Sequence, residues 1–284
     1  LFDPMGKIVA KAYRELTQIY PAPGWVEHNP LEIWRITREC ITEAIKTAGI
    51  SPAQVVAIGL ANQGETVVMW DSTTARPVCN AIVWQCRRTD EICRQLVKAD
   101  LEGTVRAKTG LTIDPYFSAT KIRWILDHIA GVVENIRLGK VLFGTTDTWL
   151  AWLLSGGRIH VTDPSTASRT MIFNIHSRKW DAELLRALGI PVIILPRVVS
   201  SSGVCGLTDP KVTMGTSIPL AGLAVDQQAA LLGHGCITPG MAKATYGTGC
   251  FLLMNTGETP VRSTNGLLTS IAWAIDEKVE YVLR

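Results

Sequence analysis

An acidic residue, Asp226, stands where an apolar strand meets the start of a short helix, in Leu223-Ala224-Val225-Asp226-Gln227-Gln228-Ala229-Ala230. Ligands collect at the carboxyl ends of strands in α/β sheets. An ionised carboxylate placed there can take a proton from a substrate hydroxyl. Asp is also a favoured helix N-cap, and on these residues alone that is the plainer role. A second candidate is Thr245-Tyr246-Gly247-Thr248-Gly249-Cys250, between two apolar stretches. A tight Gly-Thr-Gly turn offers backbone N–H groups and a hydroxyl to a phosphate, and an ordinary hairpin turn has the same composition. It is neither a Walker A loop nor a GxGxxG loop. The third is Ala61-Asn62-Gln63-Gly64-Glu65-Thr66, a run able to read hydroxyl groups or simply to form a polar loop. The fourth is Trp84 with Gln85, Arg87 and Arg88, where an aromatic face suits the C–H side of a polyol, although most Trp residues serve as packing.

Other chemistries find little support. The histidines 28, 128, 160, 176 and 234 have no HExxH or triad-like context. The cysteines 40, 79, 86, 93, 205, 236 and 250 form no CxxC pair, so they read as reduced thiols rather than a disulfide framework or zinc cluster.

These candidates need elements to hold them. Asn29 and Pro30 predict a helix start, Ile33, Trp34, Ile41 and Ile45 supply its apolar face, and Gly49 ends it. Residues 8–16 read as the second arm of a β-hairpin whose first arm is missing. Residues 55–60 predict a strand buried on both faces, and residues 67–70 and 140–143 predict two more. Helices are expected at 89–98, 118–133 with Ser118 as cap, 147–154 and 181–188. A strand at 218–222 then delivers Asp226, and a helix follows at 227–233. Strands are expected at 242–246, 251–255, 267–275 and 279–283. Interleaved helices and strands predict an α/β protein, with a boundary near residues 230–240 where helix-rich sequence gives way to strands and turns.

Composition sets outer limits. The 284 residues are 47% hydrophobic and 19% charged, which is globular rather than disordered. A net charge of +3 without basic runs does not point to nucleic acid or an anionic membrane. No apolar run has the length of a membrane span.

Taken together the segments resemble the FGGY carbohydrate kinases, and within them the glycerol kinases. The resemblance runs from Gln18-Ile19-Tyr20-Pro21 onward. Its strongest stretches are Pro23–His28, Ala81–Thr89, Thr109-Gly110-Leu111, Tyr116–His128, Asp226–Ala230 and Thr245–Phe251. It implies two ribonuclease H-like domains of the actin, Hsp70 and sugar kinase type. Residues 1–233 would form the substrate-binding domain, and residues 234–284 the start of an incomplete nucleotide-binding domain. It implies transfer of the γ-phosphoryl group of ATP, with Mg²⁺, to a terminal hydroxyl of glycerol. Asp226 matches the catalytic base and a metal contact. Glu65, Trp84, Tyr116, Asp226 and Gln227 match polyol-contacting positions, and Gly247, Thr248 and Gly249 match the loop touching ATP phosphates. A cytoplasmic homodimer or homotetramer with a small polyol as its partner is the implied setting.

Three departures from the family pattern stand out. The glycine- and threonine-rich hairpin loop that precedes Leu1 in the family is absent, and the second domain continues past Arg284 in the family. Gly64 occupies a position where glycerol kinases usually carry Arg, which removes a charged donor worth about 1.5–3 kcal/mol. On that basis Gly64→Arg is expected to lower the KM for glycerol. The alternatives are an FGGY kinase for another polyol or sugar, and a truncated, non-catalytic kinase-like binding protein.

Overall fold

The computed structural model describes residues 1–247 and 249–284. The longest helix, Pro30–Ala48, begins where Asn29 accepts a hydrogen bond from the Leu31 amide and ends at left-handed Gly49. Its Trp34 and Ile41 pack toward a three-stranded sheet. That sheet contains β1 (Ile58–Asn62), β2 (Ser202–Leu207) and β3 (Pro219–Val225), in the order β2-β3-β1. The central strand β3 runs parallel to β1 and antiparallel to β2. A second antiparallel pair, Val68–Asp71 with Val141–Gly144, sits beside the largest apolar cluster, which draws in Met69, Ile122, Phe143 and Leu184.

The last strands, β4 (Ala242–Tyr246), β5 (Cys250–Gly257), β6 (Thr269–Ile275) and β7 (Lys278–Leu283), form one antiparallel sheet in the order β4-β5-β7-β6. Between the two sheets lies the helix Asp226–Gly233. It starts directly at the end of β3, and its Leu231 packs with Leu253, Ala272 and Val282 of the second sheet. Asp226 is thereby fixed at the junction. The second sheet also rests on the end of the helix Glu102–Thr109, at its left-handed cap Gly110, where φ is +72° and the Thr269 amide donates to the Gly110 carbonyl at 3.0 Å. A Cβ at Gly110 would lie 2.4 Å from the Thr269 carbonyl oxygen, so only glycine permits this approach.

Four expectations change. The strand expected at 55–60 is β1, shifted to Ile58–Asn62, and it alternates between half-buried and exposed residues until Asn62. It pairs only with β3 among the described residues, which makes it an edge strand, and its exposed Gly59 and Ala61 show that it is not buried on both faces. Residues 8–16 form only an isolated bridge from Ile8 to Phe2, because no ladder partner lies alongside them. The helix expected over 118–133 stops at His128. Left-handed Gly131 then starts a separate turn, Val132–Arg137. Ser118 is the first helical residue rather than the cap, and its hydroxyl donates to the Glu65 carbonyl at 3.4 Å. The helices Glu102–Thr109 and Pro164–Ala167 were not expected. Among the described residues no helix is long and apolar enough to cross a membrane.

Candidate active-site cleft

The carboxyl end of β3 and the β4–β5 hairpin open onto one cleft of about 230 Å³. Gln63, Glu65, Trp84, Tyr116, Asp226, Gln227, Gly247 and Gly249 all line it. Seven of the eight residues that the family resemblance marks therefore converge. The eighth, Thr248, lies outside the described residues.

Asp226 sits at the helix start, but the Gln227 amide is its nearest donor, at 2.7 Å, and the helix has no side-chain cap bond. The capping role suggested by residue type is therefore not the one it performs. Its carboxyl keeps solvent contact at the mouth of the cleft, yet the surrounding walls strip enough water to raise its pKa. The Gln227 amide opposes that rise and the charge of Glu65 adds to it. Gln227 receives a hydrogen bond on Oε1 from Lys243 Nζ and lies 3.4 Å from Asp226 Oδ2 through Nε2. Lys243 also donates to Thr245 Oγ1 at 2.8 Å. This relay holds the end of the β4 strand to the carboxylate.

Glu65 approaches from the loop after β1 and is nearly sealed, at 3% exposure. Arg169 Nε donates to its Oε1 at 2.7 Å, and Arg169 Nη1 donates to Ser270 Oγ at 2.5 Å. One guanidinium thus ties the Glu65 loop to β6. Beneath it, the buried Lys121 ammonium donates to the carbonyls of Tyr116, Phe117 and Glu65 at 2.5, 3.2 and 3.4 Å. Burial pushes the Lys121 pKa down to about 7, against the pull of Glu65. The Tyr116 phenol is pushed up to about 12, first by burial and then by Glu65. Trp84 stands edge-on to both Tyr116 and Phe251, with centroids 5.7 and 6.1 Å apart, giving the cleft an aromatic wall.

Arg169, Lys121, Lys243, Phe251 and Arg284 were missed from the sequence. The one usable signal belongs to Arg169, a lone cation inside a run of small and hydroxyl residues, Thr162-Asp163-Pro164-Ser165-Thr166-Ala167-Ser168-Arg169-Thr170. Such a run buries easily and leaves its cation needing an acid. The reading of Gly64 also changes. A Cβ there would lie 2.7 Å from Val225 Cγ2 and 3.3 Å from the Arg169 Cγ, and Val225 is fully packed. Gly64→Arg would have to displace both, so it is now expected to raise the KM for glycerol, or to disturb the cleft, rather than to restore a donor. Gln85, Arg87 and Arg88 do not line this cleft; Gln85 and Arg87 line an adjoining hollow that shares Trp84, Tyr116 and Gly249 with it. Arg88 pairs with Glu27 at 2.7 Å and stacks on Trp25.

Comparison with known proteins gives one consistent neighbourhood. The family model described as "FGGY family of carbohydrate kinases, N-terminal domain" matches residues 1–233. A glycerol kinase from Carboxydothermus hydrogenoformans is 58% identical over 283 residues, covering 100% of this chain and 57% of that protein. The crystal structure of Plasmodium falciparum glycerol kinase with ADP superposes with a TM-score of 0.94 at 34% identity, covering 99% of this chain and 57% of that one. A ligand-bound xylulose kinase from Lactobacillus acidophilus, at 20% identity and a TM-score of 0.86 over 99% of this chain and 56% of that one, shares the fold. The chain spans a little over half the length of the curated relatives it matches.

Proposed function

The chain belongs to the FGGY family of carbohydrate kinases, and from that premise we propose that the whole protein carrying it transfers the γ-phosphoryl group of ATP to a terminal hydroxyl of glycerol. The observation that carries this reading is the convergence of Asp226, Glu65, Trp84, Tyr116 and Gln227 with Gly247 and Gly249 on one small cleft. Its volume, about 230 Å³, lies below the range of drug-sized sites and suits a three-carbon polyol. Gly64 supports the same size, because the space next to it is filled by Val225 and Arg169 rather than left open for a longer substrate.

Phosphoryl transfer asks the protein for position and charge neutralisation more than for covalent chemistry. Asp226, held by the Gln227 amide, accepts the proton of the attacking hydroxyl. Glu65 and Tyr116 orient the polyol hydroxyls, and the Trp84 and Phe251 rings cover its carbon edge. Gly247 and Gly249 line the same space; the Gly247 amide closes on the Gly249 carbonyl at 3.1 Å, and glycine at both positions lets a phosphate come close to the backbone. Among the described residues no cluster of three metal-ligating side chains exists. A lone Asp226 carboxylate fits Mg²⁺, which is commonly held by one or two carboxylates together with substrate phosphates and water. Bound there, Mg²⁺ would neutralise phosphate charge. On this reading residues 1–233 carry most of the polyol side of the cleft, and residues 234–284 add Phe251 to it and begin the nucleotide side. A cytoplasmic location accords with the seven free cysteines.

The test is ATP-dependent phosphorylation of a polyol and sugar panel by the whole protein and its Asp226→Asn variant. Glycerol should be the preferred acceptor. The variant should lose at least about 10²-fold in kcat while still binding glycerol. Equal activity of the variant would end the base assignment, and preference for another acceptor would replace glycerol.

A further inference from the structure

We propose that Arg284 is a substrate-binding residue of this cleft, donating from its guanidinium to a hydroxyl of the polyol that is not phosphorylated; the inference rests on the kinase reading above. Arg284 is held in place by its backbone, which exchanges hydrogen bonds with Leu268 at 2.9 and 2.8 Å as a continuation of the β7–β6 ladder. Its side chain is only 8% exposed and lines the cleft with Asp226 and Glu65. The guanidinium lies between the Tyr116 and Phe251 rings, 5.5 and 4.6 Å from their centroids. One arm is committed, since Nη2 donates to the Tyr116 hydroxyl at 2.5 Å. The other arm is not. Nη1 is buried without a hydrogen bond and reaches only to 3.5 Å from Glu65 Oε1, an oxygen already taken by Arg169 Nε at 2.7 Å.

An unsatisfied donor on a buried cation is costly to leave in a folded protein and calls for an explanation. Packing does not supply one, because a Met or Leu would fill the space between two rings without that cost. A ligand does supply one. The planar fork lets one edge brace Tyr116 while the other serves a hydroxyl, which a lysine cannot do. Glu65 Oε1, 3.5 Å from Nη1, opposes an anion at this arm, so the group that suits it is a neutral hydroxyl. Arg284 enters from the second sheet, whereas Glu65 and Tyr116 belong to the first part of the chain. It therefore couples polyol recognition to the approach of the two.

The experiment compares the whole protein with Arg284→Ala and Arg284→Lys, using glycerol, propane-1,2-diol and propane-1,3-diol as acceptors. The wild type should favour glycerol over both deoxy analogues. In Arg284→Ala the KM for glycerol should rise at least about 10-fold, with the KM for ATP unchanged. The preference for glycerol over one of the two analogues should collapse, because the hydroxyl that analogue lacks has lost its donor. Arg284→Lys, which keeps the cation and the stem, should recover only part of the discrimination. Equal losses for all three acceptors, or an unchanged glycerol KM, would mean that Arg284 is structural and overturn the proposal. Should Arg284→Ala fail to fold, Arg284→Lys carries the same comparison. A wild type that phosphorylates no polyol would instead overturn the kinase reading, and this inference with it.

Discussion

Glu65 and Asp147 are both carboxylates enclosed by the first part of the chain, at 3% and 0% exposure, yet their surroundings differ in kind. Glu65 is answered by guanidinium groups, Arg169 at 2.7 Å and Arg284 at 3.5 Å. Asp147 has no cation within ion-pair reach among the described residues. It is held by the hydroxyls of Thr145 and Thr162 and by the Asn62 amide. Asn62 ends β1 three residues before Glu65, so one strand end serves both groups. The pair shows two ways of enclosing an acid. Charge pairing fixes a carboxylate beside the open cleft. Neutral donors hold a carboxylate inside the scaffold, where burial raises its pKa to about 6.

The largest effect should come from breaking the charge-paired region. Arg169→Met keeps much of the volume and removes the guanidinium, leaving Glu65 buried without its nearest partner and Ser270 without its donor. Removing one member of a buried pair costs about 3–5 kcal/mol. Urea unfolding of the whole protein should show that loss, and the glycerol KM should rise because Glu65 is no longer held. A loss below about 1 kcal/mol would place Glu65 among the solvent-relaxed pairs and dissolve the contrast with Asp147.

How legible these two regions were in the sequence follows from the range of their contacts. The Asp226 segment, the Gly247 and Gly249 turn and the Trp84 segment were readable because each is a local pattern at the end of an apolar run. The cations that organise them were not, because Arg169 lies 104 residues from Glu65 and Arg284 lies 168 from Tyr116. Nothing near an arginine in sequence tells which distant acid or phenol it meets. The helix Pro30–Ala48 was readable from its own caps. β1 was misread because an apolar run carries no information on whether another element packs over its second face. The Asp147 cluster passed unnoticed for a related reason: Thr145, Asp147 and Thr162 look like helix-start and turn residues until the fold brings them together.

A second break tests the hydroxyl-held region. The folded pKa of Asp147, about 6, lies above the ordinary value of 3.8, so between these values the folded state binds more protons than the unfolded chain. Stability from this group is therefore fully present below about pH 4 and is lost as pH rises through about 6. Asp147→Asn cannot titrate, and its amide oxygen can still accept from Asn62 and Thr145. Between pH 4 and pH 8 the wild type should lose up to about 3 kcal/mol relative to this variant, read from paired urea titrations. Parallel pH profiles would mean that Asp147 does not titrate in that window.

The smallest effect sharpens the comparison most. Thr162→Val is nearly isosteric and deletes only the hydroxyl that donates to Asp147 Oδ2 at 2.8 Å. When Asp147 is ionised this bond goes to a charged acceptor and should be worth about 1.5–3 kcal/mol, but about 0.5–1.5 kcal/mol when the acid is neutral. The cost of Thr162→Val should thus be larger at pH 8 than at pH 5. The same substitution should leave the glycerol KM unchanged, because Thr162 does not line the cleft. A pH-independent cost would show that Asp147 has the same charge at both values. A raised KM would show that the two carboxylates communicate through Asn62, whose Oδ1 accepts from Thr166 at 3.2 Å while its Nδ2 donates to Asp147 at 2.9 Å. In that case the scaffold acid would be tuning the loop that carries Glu65, and the two ways of enclosing a carboxylate would be parts of one device.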